Sequence, residues 1–291
     1  MKKILPLIIT SLLLLQQQAT AQQLQVENTM SQYFRNRMLW NAAYTGDEGN
    51  KLYVLQNRSW VGFEGAPVLT SFNGEFKFGQ NSSAGLQVLS DQTGILVRTY
   101  GILNYGYRIK LSEENSLRLG ISLSLSGDRL NNKYLDGSSL SDPMIASSIN
   151  DRPRFDGNFG AIYRSGKFDV GVALYHLGDQ LRKEATTSNA AKYQVGLYYN
   201  LSETADKIQF KPVLMYKTYT NTESVLEGGA QVEYNKLLHV MAMYQSIGNV
   251  RAGAGLRKNG LGEANFFYNT NVKIANVSSQ QYEMGLAVYL K

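Results

Sequence analysis

Few residues in this chain stand at spacings that support chemistry. His176 and His239 are lone histidines with no Glu or Cys at ligand spacing, so packing or lining suits them better than a metal. Gly160 to Lys167 approaches the phosphate-loop pattern, but the spacing is one residue too long and Phe168 stands where Ser or Thr is needed. Gly253-Ala254-Gly255 is half of a dinucleotide fingerprint inside a strand pattern with no helix after it. It reads as a close-packed or lumen-facing position. Asp47 and Glu48 are adjacent on a turn and read as solvated. Gly-x-Ser-x-Gly does not occur, and with no cysteine there is neither thiol chemistry nor a disulfide framework. No nucleophile or acid–base constellation can be named, so the expectation is no enzyme, no catalytic residue, no metal and no cofactor.

The elements that surround these residues are more informative. Lys2 and Lys3, the apolar run Ile4 to Leu15 and Ala19-Thr20-Ala21 have the form of a cleaved export signal over 1–21. An apolar core of about 12 residues is too short for a spanning helix, which needs about 20. Loss of the two lysines takes the formal charge from +6 to +4. The remaining Lys and Arg are scattered, with no basic stripe of the kind that binds nucleic acid. No later segment is an apolar run long enough for a transmembrane helix, but a spanning strand needs only about 9 to 11 residues with one apolar face.

Residues 22–50 lack a clean period and read as an N-terminal arm, a short helix or extended segment ending in the turn-rich Asn41 to Asn50. From Lys51 onward, period-two segments recur. In the clearest, Leu117, Leu119, Ile121, Leu123 and Leu125 alternate with Arg118, Gly120, Ser122, Ser124 and Ser126, which puts every apolar side chain on one face. The hairpin around Ser165-Gly166-Lys167 runs from Arg154 to Leu177. About 14 strands are expected across 51–291, an even number that suits an all-β transmembrane up-and-down barrel with both termini on one side. With the N-terminus in the periplasm, the long connections 127–153 and 178–190 fall outside and the tight turns inside, as in bacterial outer-membrane barrels.

Two further features agree. Tyr105, Tyr107, Tyr175, Tyr198, Tyr199, Tyr216, Tyr219, Tyr234, Tyr282 and Tyr289 fall near strand ends, where interfacial girdles form. Glu283, Gly285, Val288 and Leu290 have the spacing of a C-terminal assembly signal, although the chain continues to Lys291 without a terminal Phe.

The stretch from Leu24 to Pro67 carries a set of residues that occur together: Gln32-Tyr33, Asn36, Asn41-Ala42-Ala43-Tyr44-Thr45-Gly46, Arg58-Ser59-Trp60 and Gly65-Ala66-Pro67, with Ser90-Asp91, Gly94 and Tyr105-Gly106-Tyr107 continuing the pattern. It resembles the N-terminal signature of the PorP/SprF family of type IX secretion system outer-membrane proteins of Bacteroidetes. Ala42 stands where the family usually has Pro, and Ser59 where Gln is common. Beyond about Lys110 the resemblance rests on length and strand pattern. It implies an outer-membrane component of secretion and gliding motility. Some members contact the periplasmic ring of the machine, and others support secretion or surface attachment of one large adhesin by binding its C-terminal domain. Outer-membrane lipid and such protein partners are therefore expected, and nucleic acid is not.

Gln32, Tyr33, Asn36, Asn41, Tyr44, Gly46, Arg58, Trp60, Gly65 and Pro67 are the candidate structural residues. Strand parity puts Asn41 to Gly46 at the periplasmic rim and Gly62 to Pro67 at the far end. A role in starting and plugging the barrel fits that split better than one compact site, and on that reading Trp60→Ala lowers folding yield. The rival reading is a passive or ligand-selective small-molecule pore, its lumen lined by Gly120, Ser122 and Ser124. A third is a soluble secreted β-protein.

Overall fold

The computed structural model describes residues 31–131, 153–178, 191–203, 206–220, 222–258, 260–273 and 280–290. The export signal, residues 22–30 of the arm and most of the two long connections lie outside the described residues. Fourteen strands form a closed antiparallel barrel in which each pairs with its sequence neighbours and the last with the first. They are β1 (Lys51–Ser59), β2 (Val68–Phe78), β3 (Ser82–Thr93), β4 (Leu96–Lys110), β5 (Asn115–Leu130), β6 (Arg154–Ser165), β7 (Phe168–Leu174), β8 (Ala191–Tyr199), β9 (Ile208–Tyr219), β10 (Val225–Tyr234), β11 (Leu238–Gln245), β12 (Asn249–Lys258), β13 (Gly262–Asn271) and β14 (Gln281–Tyr289). No described helix is long and apolar enough to cross a membrane.

The period of two decides which face meets what. On β5, Ile121, Leu123 and Leu125 project outward while Arg118 and Gly120 are buried inside. On β14, Met284, Leu286 and Val288 point out and Glu283 points in. Leu123 at 58% and Leu286 at 61% exposure would each forgo about 1.5–3 kcal/mol of burial in water, whereas acyl chains cover them in a bilayer. The tyrosine girdle divides by the same parity. Tyr105, Tyr107, Tyr199, Tyr216, Tyr234 and Tyr282 lie outside, and Phe78–Tyr105 and Phe168–Tyr199 stand ring to ring there. Tyr198 and Tyr219 are buried inside, Tyr175 bonds to the arm and Tyr289 turns inward to donate to Glu263, so nearness to a strand end did not make these four interfacial.

Two boundaries differ from the expectation. Gly127 to Leu130 continues β5, because Asp128 lies opposite Arg98 of β4 and accepts from its guanidinium at 2.6 and 2.7 Å. β7 stops at Leu174, and His176 takes a positive φ with its ring 2.6 Å from Asp156 of β6.

The lumen has two unlike walls. Ser83, Gly106, Gly120, Gly160 and Ala173 stand directly opposite one another across β3 to β7, a lateral row of small inward residues. The facing wall, β9 to β14 and β1, carries Lys217, Glu227, Glu233, Arg251, Glu263, Glu283 and Tyr53, all buried. A side chain on the small-residue wall has nowhere to go: a Cβ on Gly120 would overlap the Ala42–Ala43 backbone of the arm. Gly120→Val should therefore leave a closed, heat-modifiable barrel, since Val suits a strand. It should unseat the arm at a cost of about 1–3 kcal/mol, read as new protease cleavage between residues 31 and 50.

Candidate functional site: the lumenal arm

Residues 31–50 run down the inside of the barrel. Tyr33, Phe34, Trp40, Ala43 and Tyr44 are buried and form one cluster with Ile162, Tyr198, Met215, Met241, Met243 and Phe267 of the wall, and Met38 is buried as well. The arm begins near the rim that carries the long connections, where Ser31 N and Gln32 Nε2 donate to Glu283. It ends at the rim of short turns, where Gly46 N donates to Glu75 at 2.7 Å. Asn41 to Thr45 thus lies within the lumen, and only Gly46 reaches the rim. The backbone can enter because the wall beside it is glycine and serine.

Local chemistry shapes the arm. Asn41 accepts from Ala43 N at 2.9 Å through Oδ1, capping a single 3₁₀ turn at Ala42–Tyr44. Its Nδ2 donates to the Val172 carbonyl of β7. Arg118 donates to the carbonyls of Ala43 and Thr45 at 2.8 and 2.9 Å, and Ser83 Oγ donates to Thr45 O at 2.6 Å. These bonds satisfy carbonyls that a helix this short leaves open. Gly46 has φ +68, and a Cβ there would stand 2.6 Å from Ser83 Cβ.

The opposite side of the arm is gripped by charge. Arg35 donates to both carboxylate oxygens of Glu263, through Nε at 2.7 Å and through Nη2. Tyr33 Oη accepts from Lys217 Nζ and, at 2.9 Å, from Arg251 Nη1, and both cations pair with Glu227. Gln32 Oε1 accepts from Tyr53 Oη at 2.5 Å. Trp40 stacks on Tyr198 at 5.3 Å, and Arg37 sits 4.5 Å over the Tyr44 ring. Asn36 is fully buried, and neither atom of its side-chain amide finds a partner among the described residues.

Asp47 and Glu48, expected in solvent, close the lower end as ion-pair centres. Asp47 lies 3.5 Å from Arg37, 3.3 Å from Arg118 and 2.9 Å from Arg164. Burial works against its charge, but Arg37 and Arg164 outweigh it and hold the carboxyl below its ordinary range. Glu48 is likewise opposed by burial and brought down to about 2, chiefly by Lys51.

Six of the ten signature residues therefore meet in the lumen: Gln32, Tyr33, Asn36, Asn41, Tyr44 and Gly46. The other four sit at the far rim. Arg58 points outward at the end of β1, Trp60 is partly exposed with φ +52, Gly65 accepts from Gly94 N at 2.9 Å, and Pro67 O accepts from Ser59 N. His239 lines the lumen against Asn265, and Gly253 and Gly255 give way to Phe267, Asn265 and His239. Among the described residues no group of His, Asp and Glu could hold a metal. Sequence reading missed the wall partners Lys217, Glu227, Arg251 and Glu263. Their signal was a charged residue at the inward parity of a strand whose other parity is apolar.

The sequence profile of the type IX secretion system membrane protein PorP/SprF matches residues 21–288. The chain belongs to this family. No curated protein matches it in sequence. Among solved structures it is similar to the outer-membrane protein Omp33 of Acinetobacter baumannii, at 6% identity and TM-score 0.50, covering 83% of this chain and 98% of that one. It also matches the toluene transporter TodX of Pseudomonas putida at 9% identity and TM-score 0.47, covering 88% and 92%. At such identity the Omp33 likeness speaks to the fold alone. Family and fold together make this PorP/SprF protein an outer-membrane β-barrel.

Two outcomes follow. Asp47 and Glu48 have lowered values, so their stabilisation is complete above the ordinary carboxyl value of 4.5 and is lost as pH falls toward about 2. Protease protection of residues 31–50 should accordingly hold at neutral pH and fail across that acidic window. The exposed Trp60 indole predicts that Trp60→Ala shifts stability by no more than about 0.5 kcal/mol and leaves heat-modifiable mobility intact.

Proposed function

We propose that this PorP/SprF protein is a plugged anchor in the outer membrane. It supports secretion or surface attachment of a partner protein such as a large adhesin, and it acts by binding rather than by catalysis. The observation that carries the reading is the seated arm. Its backbone and side chains bond to groups of β1 to β3, β5 to β7, β9 and β12 to β14, so the arm's share of the family signature fills the lumen. Between the arm and β3 to β7 a cavity of about 30 Å³ remains, the scale of a few waters rather than of a solute. A pore would need the arm displaced against buried ion pairs, and removing one partner of such a pair costs about 3–5 kcal/mol.

On this reading the short-turn rim faces the periplasm and the long connections 131–153 and 175–190 face outward, the usual asymmetry of such barrels. Those connections and the Trp60 turn are then the surfaces offered to an exported partner.

Planar-bilayer recording of the purified wild-type barrel tests the reading. It should give no large, stable openings. Deletion of the gene should remove a surface protein while small-solute permeability of the outer membrane stays unchanged. Large steady openings with residues 31–50 intact, or loss of permeability without loss of any surface protein, would make it a pore.

A further inference from the structure

At the short-turn rim a cavity of about 420 Å³ lies between the lower end of the arm and the wall. That volume falls in the range of ordinary ligand sites. Six cations line it: Arg35, Arg37, Arg164, Lys167, Lys211 and Arg257. Three carboxylates, Asp47, Glu48 and Asp169, line it too.

The two charge types do not reach the cavity equally. The side chains of Lys167, Arg164, Lys211, Arg257 and Arg37 are 36%, 30%, 29%, 24% and 22% exposed. Their carboxylate partners stand behind them: Asp47 at 9%, Asp169 at 10%, Glu233 at 2%. Glu48 at 23% and the outlying Glu203 at 73% are the exceptions among the carboxylates, and Arg35 at 2% among the cations. An entering group thus meets N–H donors before it meets carboxylates.

The ion pairs also leave positive charge over. On one side, among the described residues, Arg37, Arg118 and Arg164 share Asp47 and Asp169. On the other, Arg35, Lys211 and Arg257 share Glu233 and Glu263, with Arg257 no nearer than 3.9 Å to Glu233. Each group holds three cations against two carboxylates. Glu48 and Glu75 share Lys51, and their one surplus carboxylate offsets one of the two surplus positive charges, so one remains. Phe34 and Tyr198 add an apolar floor.

We infer that this cavity is a docking site for an acidic peptide segment, held by its carboxylates on Lys211, Arg257, Arg164 and Lys167. Guanidinium groups bind carboxylates through paired, charge-assisted hydrogen bonds, and a walled cavity concentrates the field. A peptide fits better than a lipid headgroup, because the charged strand residues of the lining, Arg164, Asp169, Lys211 and Arg257, have the inward parity of their strands, away from the acyl-facing surface. The site deepens the proposed function, on which it rests, by giving the partner's chemistry at the periplasmic side. The carboxylates can come from Glu or Asp side chains or from a chain terminus.

The test uses the full mature barrel in detergent and three fluorescent, acetylated probes: amidated pentaglutamate, pentaserine with a free terminal carboxylate, and amidated pentaserine as control. Saturable binding of either acidic probe that weakens with salt supports the site and says which carboxylate it takes. Lys211→Gln with Arg257→Gln should weaken it about tenfold or more, whereas Arg129→Gln, on the outer face near the other rim, should leave it unchanged. If the double variant does not fold, Lys167→Glu on the exposed turn replaces it and should also weaken binding. Binding of neither acidic probe, or equal binding by the cavity variants, overturns the site. Because no secretion is measured, that result leaves the anchoring role standing, to be judged by the gene deletion.

Discussion

A polypeptide that passes through the inside of a barrel must bring each backbone N–H and C=O to a partner. Here that demand is met where Asn41 to Thr45 lies against the small-residue wall. Gly106, Gly120 and Gly160, directly opposite one another on adjacent strands, let the arm approach to backbone contact. Arg118, Ser83, Asn41 and Val172 O then supply the missing donors and acceptors. Once this segment is seated, Tyr33 and Arg35 have one direction left to face, the charged wall of β9 to β14.

That wall is organised by the same contact. Glu227, Glu263 and Glu283 are almost completely buried, and each would be costly without its partners. The arm is part of the solution: Arg35 neutralises Glu263, the Tyr33 hydroxyl bridges Lys217 and Arg251, and Ser31 with Gln32 bonds to Glu283. A buried ion pair contributes little net stability, but it penalises every other register of the arm. Arm and wall therefore specify each other, and glycine on one side with charge on the other makes the seating directional.

The consequence for the proposed function is that the surfaces left for a partner are at the two ends. At one rim the Trp60 turn and the starts of the long connections project from the strand ends. At the other, cations that close the arm also border an open cavity. Residues Arg37 and Arg164 belong to both the seal and that cavity, so the end of the arm and the short-turn rim share one electrostatic network.

Much of this was legible in the sequence. The alternation of Leu117 to Leu125 with small polar residues dictates a strand with one apolar face, and its recurrence to Leu290 dictates a barrel, because no spanning sheet leaves an edge in lipid. The signature Gln32 to Gly46 pointed to an N-terminal segment with a structural task. What the sequence could not supply was distance across the lumen. Asp47 and Glu48 look solvated in a turn-rich stretch, and Tyr198 and Tyr219 look interfacial at strand ends. Only the closed barrel brings Arg118 and Arg164 to Asp47, Glu263 to Arg35 and Glu283 to Ser31, across separations of up to 252 residues. Inward parity marks a residue as lumenal. Which inward residues meet is decided by barrel closure and strand register, and these are properties of the whole chain.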